Sequence, residues 1–383
     1  MGVVSYEIFD YAIGLRRELH MYPEVGFELL RTVKLVKREL KGLDIPFTER
    51  FGKCSVVGWI GDDPKRKTLA IRADMDALPI QERTNLPFAS VYDGRMHACG
   101  HDAHTANLLA VARILKERQS ELACNIRLIF QPSEEGEISG AKMMVDNGVM
   151  DGVDRVIGIH SENTLDSGTV AIRPGEYMAA CIPINLRFFG KSAHATLAST
   201  GVDAIAMSVE AYSMLKSMVA EEAGEKTPYI WSVGSFNGGH VHNAIADFCE
   251  SKISFRFYDE AFAMRVMKRA EEICRSIALA YGGEVEPDWH ISAHAVINDV
   301  ETANELISAI EKEVPVTEDF KRMSSEDFCW YLTKRPGVFF RFGTKNPKSD
   351  IITRPHNNDF LIDESGIRAA TTAIVLFALQ FGR

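Results

Sequence analysis

At 383 residues, 46% hydrophobic and 25% charged, the chain has an ordinary globular balance, enough length for a sizeable core, and a size that suggests two domains. Its net charge of −10, with no long run of Lys and Arg, argues against a nucleic-acid surface, and no apolar run approaches the roughly 18 residues of a membrane span. Seven scattered cysteines suit a reducing cytoplasm better than a disulfide framework, and Met1 to Arg16 mixes Glu7, Asp10 and Arg16 with apolar residues in a way that no signal peptide does.

Tyr6 to Leu19 and Leu29 to Leu40 carry apolar residues at three- and four-residue spacing and read as helices. Ser55 to Ile60 and Thr68 to Ile71 read as short buried strands, the second running into Arg72-Ala73-Asp74-Met75-Asp76. Ala103 to Gln119 reads as a helix, with Asp102 as its expected cap. Asn125 to Phe130 is an apolar strand, followed at once by Gln131-Pro132-Ser133-Glu134-Glu135-Gly136. Val153 to His160 is another buried strand, again expected to end on a polar group, the pattern by which open α/β sheets build sites.

The middle of the chain changes character. Ile182 to Phe189 alternates in polarity and leads to Gly190-Lys191-Ser192-Ala193-His194, then a helix from Gly201 to Val219. Tyr229 to Gly239 and Phe248 to Tyr258 read as strands, and Ala261 to Ala280 as a helix. From Ala295 the helix–strand alternation returns, through Val338 to Phe342 and the loop Arg354-Pro355-His356-Asn357-Asn358, to a final helix from Glu364 to Leu379. The expected architecture is an α/β domain of residues 1–178 and 293–383, interrupted by an inserted α+β domain of residues 179–292.

Met96 to His104 gathers a thiol, three imidazoles and a carboxylate, a donor set suited to zinc or a similar divalent ion. Taken singly, each candidate has a plain structural reading. Cys99 and His101 fit a small buried thiol and a helix-capping imidazole, and Glu134-Glu135 fits a solvated acidic turn. His160 and His356 fit satisfied polar residues, and His194 fits an exposed loop histidine. Asp74 and Asp76 either orient a ligating imidazole or cap the next segment. Together they read differently, because adjacent carboxylates on a loop diverge, leaving one to bind an ion and the other to face a water. His97, His104, His240 and His242 are left outside the metal set.

Long stretches resemble the M20 family of metallopeptidases, in its aminoacylase-like amidohydrolase branch, which includes hippurate, indole-3-acetyl-amino-acid and N-acetyl-diaminopimelate hydrolases. The resemblance rests on Leu19-His20 with Pro23-Glu24, Arg72 to Pro79, Met96 to His104, Phe130 to Gly136, Ser325-Glu326-Asp327-Phe328, and His356 with Asp359 to Glu364. It implies a zinc-peptidase-like catalytic domain with two divalent ions (zinc first, otherwise manganese, cobalt or nickel) and an inserted domain that dimerises or acts as a lid. By position it implies Cys99, His101, Glu135, His160 and His356 as metal ligands, with Cys99 bridging the ions. It implies Glu134 as the general base, with Asp74 and Asp76 behind the site. His194, Asn243 and Arg256 match positions that family members bring to the substrate, often from a partner subunit.

Departures lie at Leu29, where the family usually has Glu, at Ser161-Glu162-Asn163 after His160, at Leu197 to Thr200, and at Ala246. All but the first flank the expected substrate region. The activity implied is hydrolysis of an N-acyl amino acid by a cytoplasmic homodimer, with a dipeptidase or carboxypeptidase as the alternative. A Cys99 nucleophile activated by histidine and a non-enzymatic binding protein are the readings from other classes.

Overall fold

The computed structural model describes residues 3–349 and 352–383. The chain forms two compact units, one of Met1–Tyr177, Ile297–Lys321 and Glu326–Arg383, the other of Met178–Val296 and Arg322–Ser325.

The first unit is built on an eight-stranded sheet in the order Phe47–Thr48, Val56–Ile60, Asn125–Gln131, Thr68–Asp74, Arg155–Asp166, Gly337–Lys345, Val170–Ile172, Val316–Glu318. Thr68–Asp74 runs parallel to both of its neighbours, and Arg155–Asp166 runs parallel to Gly337–Lys345. Thr68–Asp74 and Gly337–Lys345 are buried along nearly their whole length, as continuous apolar runs must be when helices cover both faces of a sheet. Tyr6–Met21, Leu30–Gly42, His101–Glu117, Val300–Ile310 and Gly366–Gln380 supply those covers and share one core with the strands. Parallel strands bring their C-terminal ends to one edge. Asp74 is in register with Gln131, and Arg72 with Gly158, two residues before His160.

The second unit has a four-stranded antiparallel sheet in the order Glu284–Trp289, Ala180–Phe189, Phe248–Phe257, Tyr229–Gly238. Burial alternates strictly along most of Ala180–Phe189, because the helices Ala204–Ala223 and Glu260–Tyr281 cover one face of the sheet. Asp203 and Asp259 cap those helices, each accepting two backbone N–H groups of the first turn.

Three local expectations change. The strand expected to end at Ile71 continues to Asp74, and the one expected to end at His160 continues as Arg155–Asp166, so His160 lies within a strand. Asp102 does not cap the third helix. That helix is His101–Glu117, and its N-cap is Gly100 at φ +88°. Among the described residues, no helix is long and apolar enough to cross a membrane.

Candidate metal centre

Gly100 separates the first two candidate donors. Its left-handed φ suits glycine, and a Cβ there would lie 2.5 Å from Ser161 Oγ, so any side chain would push the segment off the neighbouring strand. The tight passage puts Cys99 just outside the helix and His101 in its first turn, both buried. Two other backbone positions near the donors are left-handed without being glycine: Ser133 at φ +50°, just before Glu134, and His356 at φ +64°. Such conformations concentrate where surrounding structure over-determines a side chain's direction.

Cys99 Sγ lies 3.3 Å from His160 Nε2. His160 Nδ1 donates to the Ser161 carbonyl at 2.7 Å, which leaves the Nε2 lone pair facing the sulfur. Burial and the neighbouring Arg341 guanidinium hold this imidazole well below its ordinary range, so it stays neutral, as a ligand must. On the other side, His356 Nε2 lies 3.0 Å from Glu135 Oε1. Cys99 and Glu135 push the His356 imidazole up to about 10 in the ion-free protein. Burial and the Glu135 carboxylate push the Cys99 thiol up as well, so forming a thiolate here needs a cation beside it.

Donor atoms of Cys99, His101 and His160 all lie within 4.8 Å of one another, as do those of Cys99, Glu135 and His356, and those of His101, Glu134 and Glu135. Cys99 is common to the first two groups. His101 is fully buried, yet neither ring nitrogen makes an aligned hydrogen bond; Nδ1 stands 3.4 Å from Asp76, and Nε2 stands 3.7 Å from Asp74 and 3.8 Å from Glu134. Glu135 Oε1 is also buried, with His356 Nε2 at 3.0 Å beside it. Buried polar atoms without partners are costly, and a sulfur, nitrogens and a carboxylate that converge this way fit divalent ions.

Asp76 accepts the backbone N–H groups of Glu134 at 3.0 Å and Glu135 at 3.1 Å, so it fixes the acidic pair by its backbone. Asp74 acts through other side chains. Its Oδ1 takes a hydrogen bond from His104 Nδ1 at 2.6 Å, and its Oδ2 is paired with Arg72 at 2.7 Å. His104 Nε2 accepts the Ser161 N–H at 2.8 Å, so both of its nitrogens are engaged within the protein, although its donor atom lies within 4.8 Å of those of His101 and Asp74. His97, whose burial pushes its imidazole down to about 3, also stays neutral. His240 and His242 lie exposed in an irregular loop.

The inserted unit holds the other three candidates. His194 and Asn243 sit on paired segments, with Ala195 N–H donating to the Asn243 carbonyl at 3.0 Å and His194 bridged to Ala244. Arg256 Nη1 donates to the Met323 carbonyl at 3.2 Å and to Ser325 Oγ at 3.1 Å.

Reading the sequence missed the support behind Glu134. Arg72 is fully buried and binds Asp74, Gln131, Glu326 and Asp327. Oxygens of Glu134, Glu326 and Asp327 lie within 4.8 Å of one another. The available signal was a lone Arg in an otherwise apolar strand, Thr68-Leu69-Ala70-Ile71-Arg72, since a buried charge demands partners.

A largely buried, carboxylate-backed donor cluster at the edge of an α/β sheet has the make-up of a hydrolytic metal centre. Residues 70–380 match the model of Peptidase family M20/M25/M40, and the chain belongs to this family. It is 35% identical over 378 residues to thermostable carboxypeptidase 1 of Saccharolobus solfataricus, covering 98% of this chain and 96% of the relative. It is 36% identical over 360 residues to the N-acetyl-L-cysteine deacetylase of Bacillus subtilis, covering 94% of this chain and 85% of the relative. Among solved structures, the Bacillus subtilis YXEP protein, a dinuclear metal-binding M20 peptidase, superposes with a TM-score of 0.84 at 30% identity, covering 98% of this chain and 99% of that one. The chain is thus an aminoacylase-like amide hydrolase of the M20 family that uses two divalent ions.

Proposed function

We propose that Cys99, His101, Glu135, His160 and His356 hold the two ions, zinc first among candidates, with manganese, cobalt and nickel as alternatives, and that the substrate is a small N-acyl amino acid. The observation that carries this reading is the Cys99 sulfur, common to two donor groups, with Glu134 beside them. Bound there, the ions supply Lewis acidity and bring the pKa of a water close to neutrality.

Glu134 takes a proton from the attacking water and returns it to the leaving nitrogen. Burial and the nearby Glu326 and Glu135 carboxylates raise its carboxyl well above the usual range. Asp76 holds Glu134 and Glu135 by their backbones, and Asp74 fixes His104. Thr196 engages His194 Nδ1, with its N–H at 3.3 Å and its Oγ1 at 2.8 Å, which leaves Nε2 to donate to the carbonyl oxygen. Asn243, on the segment paired with His194, contacts the substrate beside it. The inserted unit serves as the dimerising lid of a homodimer, and the seven free cysteines support a cytoplasmic setting.

The similarity to the deacetylase favours N-acyl amino acids. The similarity to the carboxypeptidase favours the second reading, in which the same residues cleave a peptide bond. Assay of N-acetyl, N-benzoyl and indole-acetyl amino acids beside dipeptides, with Zn, Mn, Co and Ni, separates the two. Glu134→Gln is expected to lower turnover by about 10²-fold or more with metal content unchanged. Loss of metal in that variant would mean that the roles of Glu134 and Glu135 are exchanged.

A further inference from the structure

An inserted domain needs the chain to cross between units twice, once out and once back, as it does here at Tyr177–Met178 and Val296–Ile297. This chain crosses twice more. Arg322–Ser325 leaves the first unit, joins the second, and returns at Glu326. Both ends of that excursion are clamped. Within the second unit, the Arg322 and Ser324 carbonyls each accept the Ala179 N–H at 3.0 Å, and Tyr258 Oη donates to the Arg322 carbonyl at 2.7 Å. Arg256 adds its two bonds, to the Met323 carbonyl at 3.2 Å and to Ser325 Oγ at 3.1 Å.

Within the first unit, the next two residues are held as firmly. Arg72 Nη2 lies 3.0 Å from Glu326 Oε1 and 2.9 Å from Asp327 Oδ1. Gln131 Nε2 and Ser139 Oγ add bonds to Asp327 at 2.9 and 2.7 Å. Glu326 and Asp327 are the carboxylates within 4.8 Å of Glu134. One trans peptide bond, about 3.8 Å between Cα atoms, separates the last clamped residue of one unit from the first of the other, so the connection has no slack.

We propose that residues 322–327 are a taut strap that ties the inserted unit to the wall behind Glu134, and that Arg256 and Ser325 are positioning residues for Glu134, acting through Glu326. Loss of the Arg256 or Ser325 clamp then reaches the general base through one peptide bond and the Arg72 cluster. Arg256 is thereby assigned to the strap in place of the substrate. The proposal rests on the reading of Glu134 as general base for its kinetic consequence, although the mechanical tie does not depend on it.

The test uses the full-length, metal-loaded enzyme and the variants Arg256→Ala, Ser325→Ala, their double mutant, and the conservative Arg256→Lys and Ser325→Thr, with metal content and melting temperature as controls for folding. Hydrogen exchange without substrate is expected to rise in residues 326–332 and 131–141 for both alanine variants, and to return toward the parent level in the two conservative variants. With an N-acetyl amino acid as substrate, each alanine variant is expected to lower kcat about tenfold at unchanged KM, and the double mutant to be no worse than the more affected single. Raised KM with intact kcat in Arg256→Ala, a silent Ser325→Ala, and unchanged exchange would overturn the strap and return Arg256 to the substrate. If no N-acyl amino acid is hydrolysed, the functional reading fails while the exchange measurement still decides the strap.

Discussion

Gly100 shows how much of the centre is set by a single residue. Its φ of +88° and the 2.5 Å from a hypothetical Cβ to Ser161 Oγ make two independent demands, one on backbone conformation and one on space. Gly100→Ala is expected to destabilise the protein by about 1–3 kcal/mol and to turn Cys99 and His101 out of alignment, so that metal content falls together with the denaturation midpoint. Normal metal content in a less stable variant would show that the two donors reach their places without this turn. At this scale the sequence was informative where donors stand close along the chain. Cys99 and His101 flank one glycine, and Glu134 and Glu135 are adjacent. Arg72 was opaque for the opposite reason, since its partners Glu326 and Asp327 lie 254 and 255 residues further along and no local pattern announces them.

The elements were legible where apolar periodicity is strong, as in the Gly366–Gln380 helix, and less so where a strand carries polar residues into a site. Arg155–Asp166 continues past His160 because the parallel pairing with Gly337–Lys345 supplies backbone partners as far as Asp166. Asp102 lies in the first turn of its helix, past the cap position, and its carboxylate is taken by Arg16 at 2.8 Å and His20 at 2.8 Å, tertiary contacts that no local rule foresees. The strand ends also explain the stability of the charged cluster beneath Glu134. Arg72→Met would leave Asp74, Glu326 and Asp327 buried without their cation, and is expected to cost about 3–5 kcal/mol by urea denaturation at neutral pH. A loss below about 1 kcal/mol would mean that the carboxylates find other partners.

The same cluster gives a pH dependence with a definite sign. Burial raises the Glu326 carboxyl from 4.5 to about 7, so between those values the folded protein binds a proton that the unfolded chain does not. Its contribution to stability is therefore fully present below about pH 4.5 and is lost as the pH rises through about 7. Glu326→Gln, which keeps an oxygen for Arg72, is expected to flatten the stability profile across that window, as read from urea midpoints at a series of pH values. A profile with unchanged slope would place the titration elsewhere.

For the molecule as a whole, the sequence conveyed the α/β alternation and the change to an α+β middle, because both are written in the spacing of apolar residues. The brief excursion of Arg322–Ser325 left no such trace, since four residues are too few to carry a period. Metal loading acts on the whole molecule as well. In the ion-free protein the His356 imidazole is pushed up to about 10 and burial pushes the Cys99 thiol up, so an ion bound by these two residues would release protons on uptake. Apparent affinity is expected to rise with pH through neutrality, and calorimetry in buffers of different ionisation enthalpy should detect the released protons. Chelation should lower the melting temperature, since each ion at about 100-fold over its Kd adds about 2.7 kcal/mol. Uptake without proton release would exclude Cys99 and His356 from the ligand set.

A sulfur that stands in two donor groups makes the order of loading matter. If Cys99 serves both ions as proposed, the first to bind would convert its thiol to a thiolate, and the second would find an anion already in place beside a cation that repels it. Two such sites would not fill independently. Their coupling is the balance of a proton already removed against a charge already present, and it must be reciprocal, so an ion that strengthens its neighbour's binding is strengthened by it to the same degree. A half-loaded enzyme is on this view a distinct chemical species, with its own affinity for the missing ion, and limiting metal would sort the population into empty and complete molecules or into singly loaded ones according to the sign of that coupling.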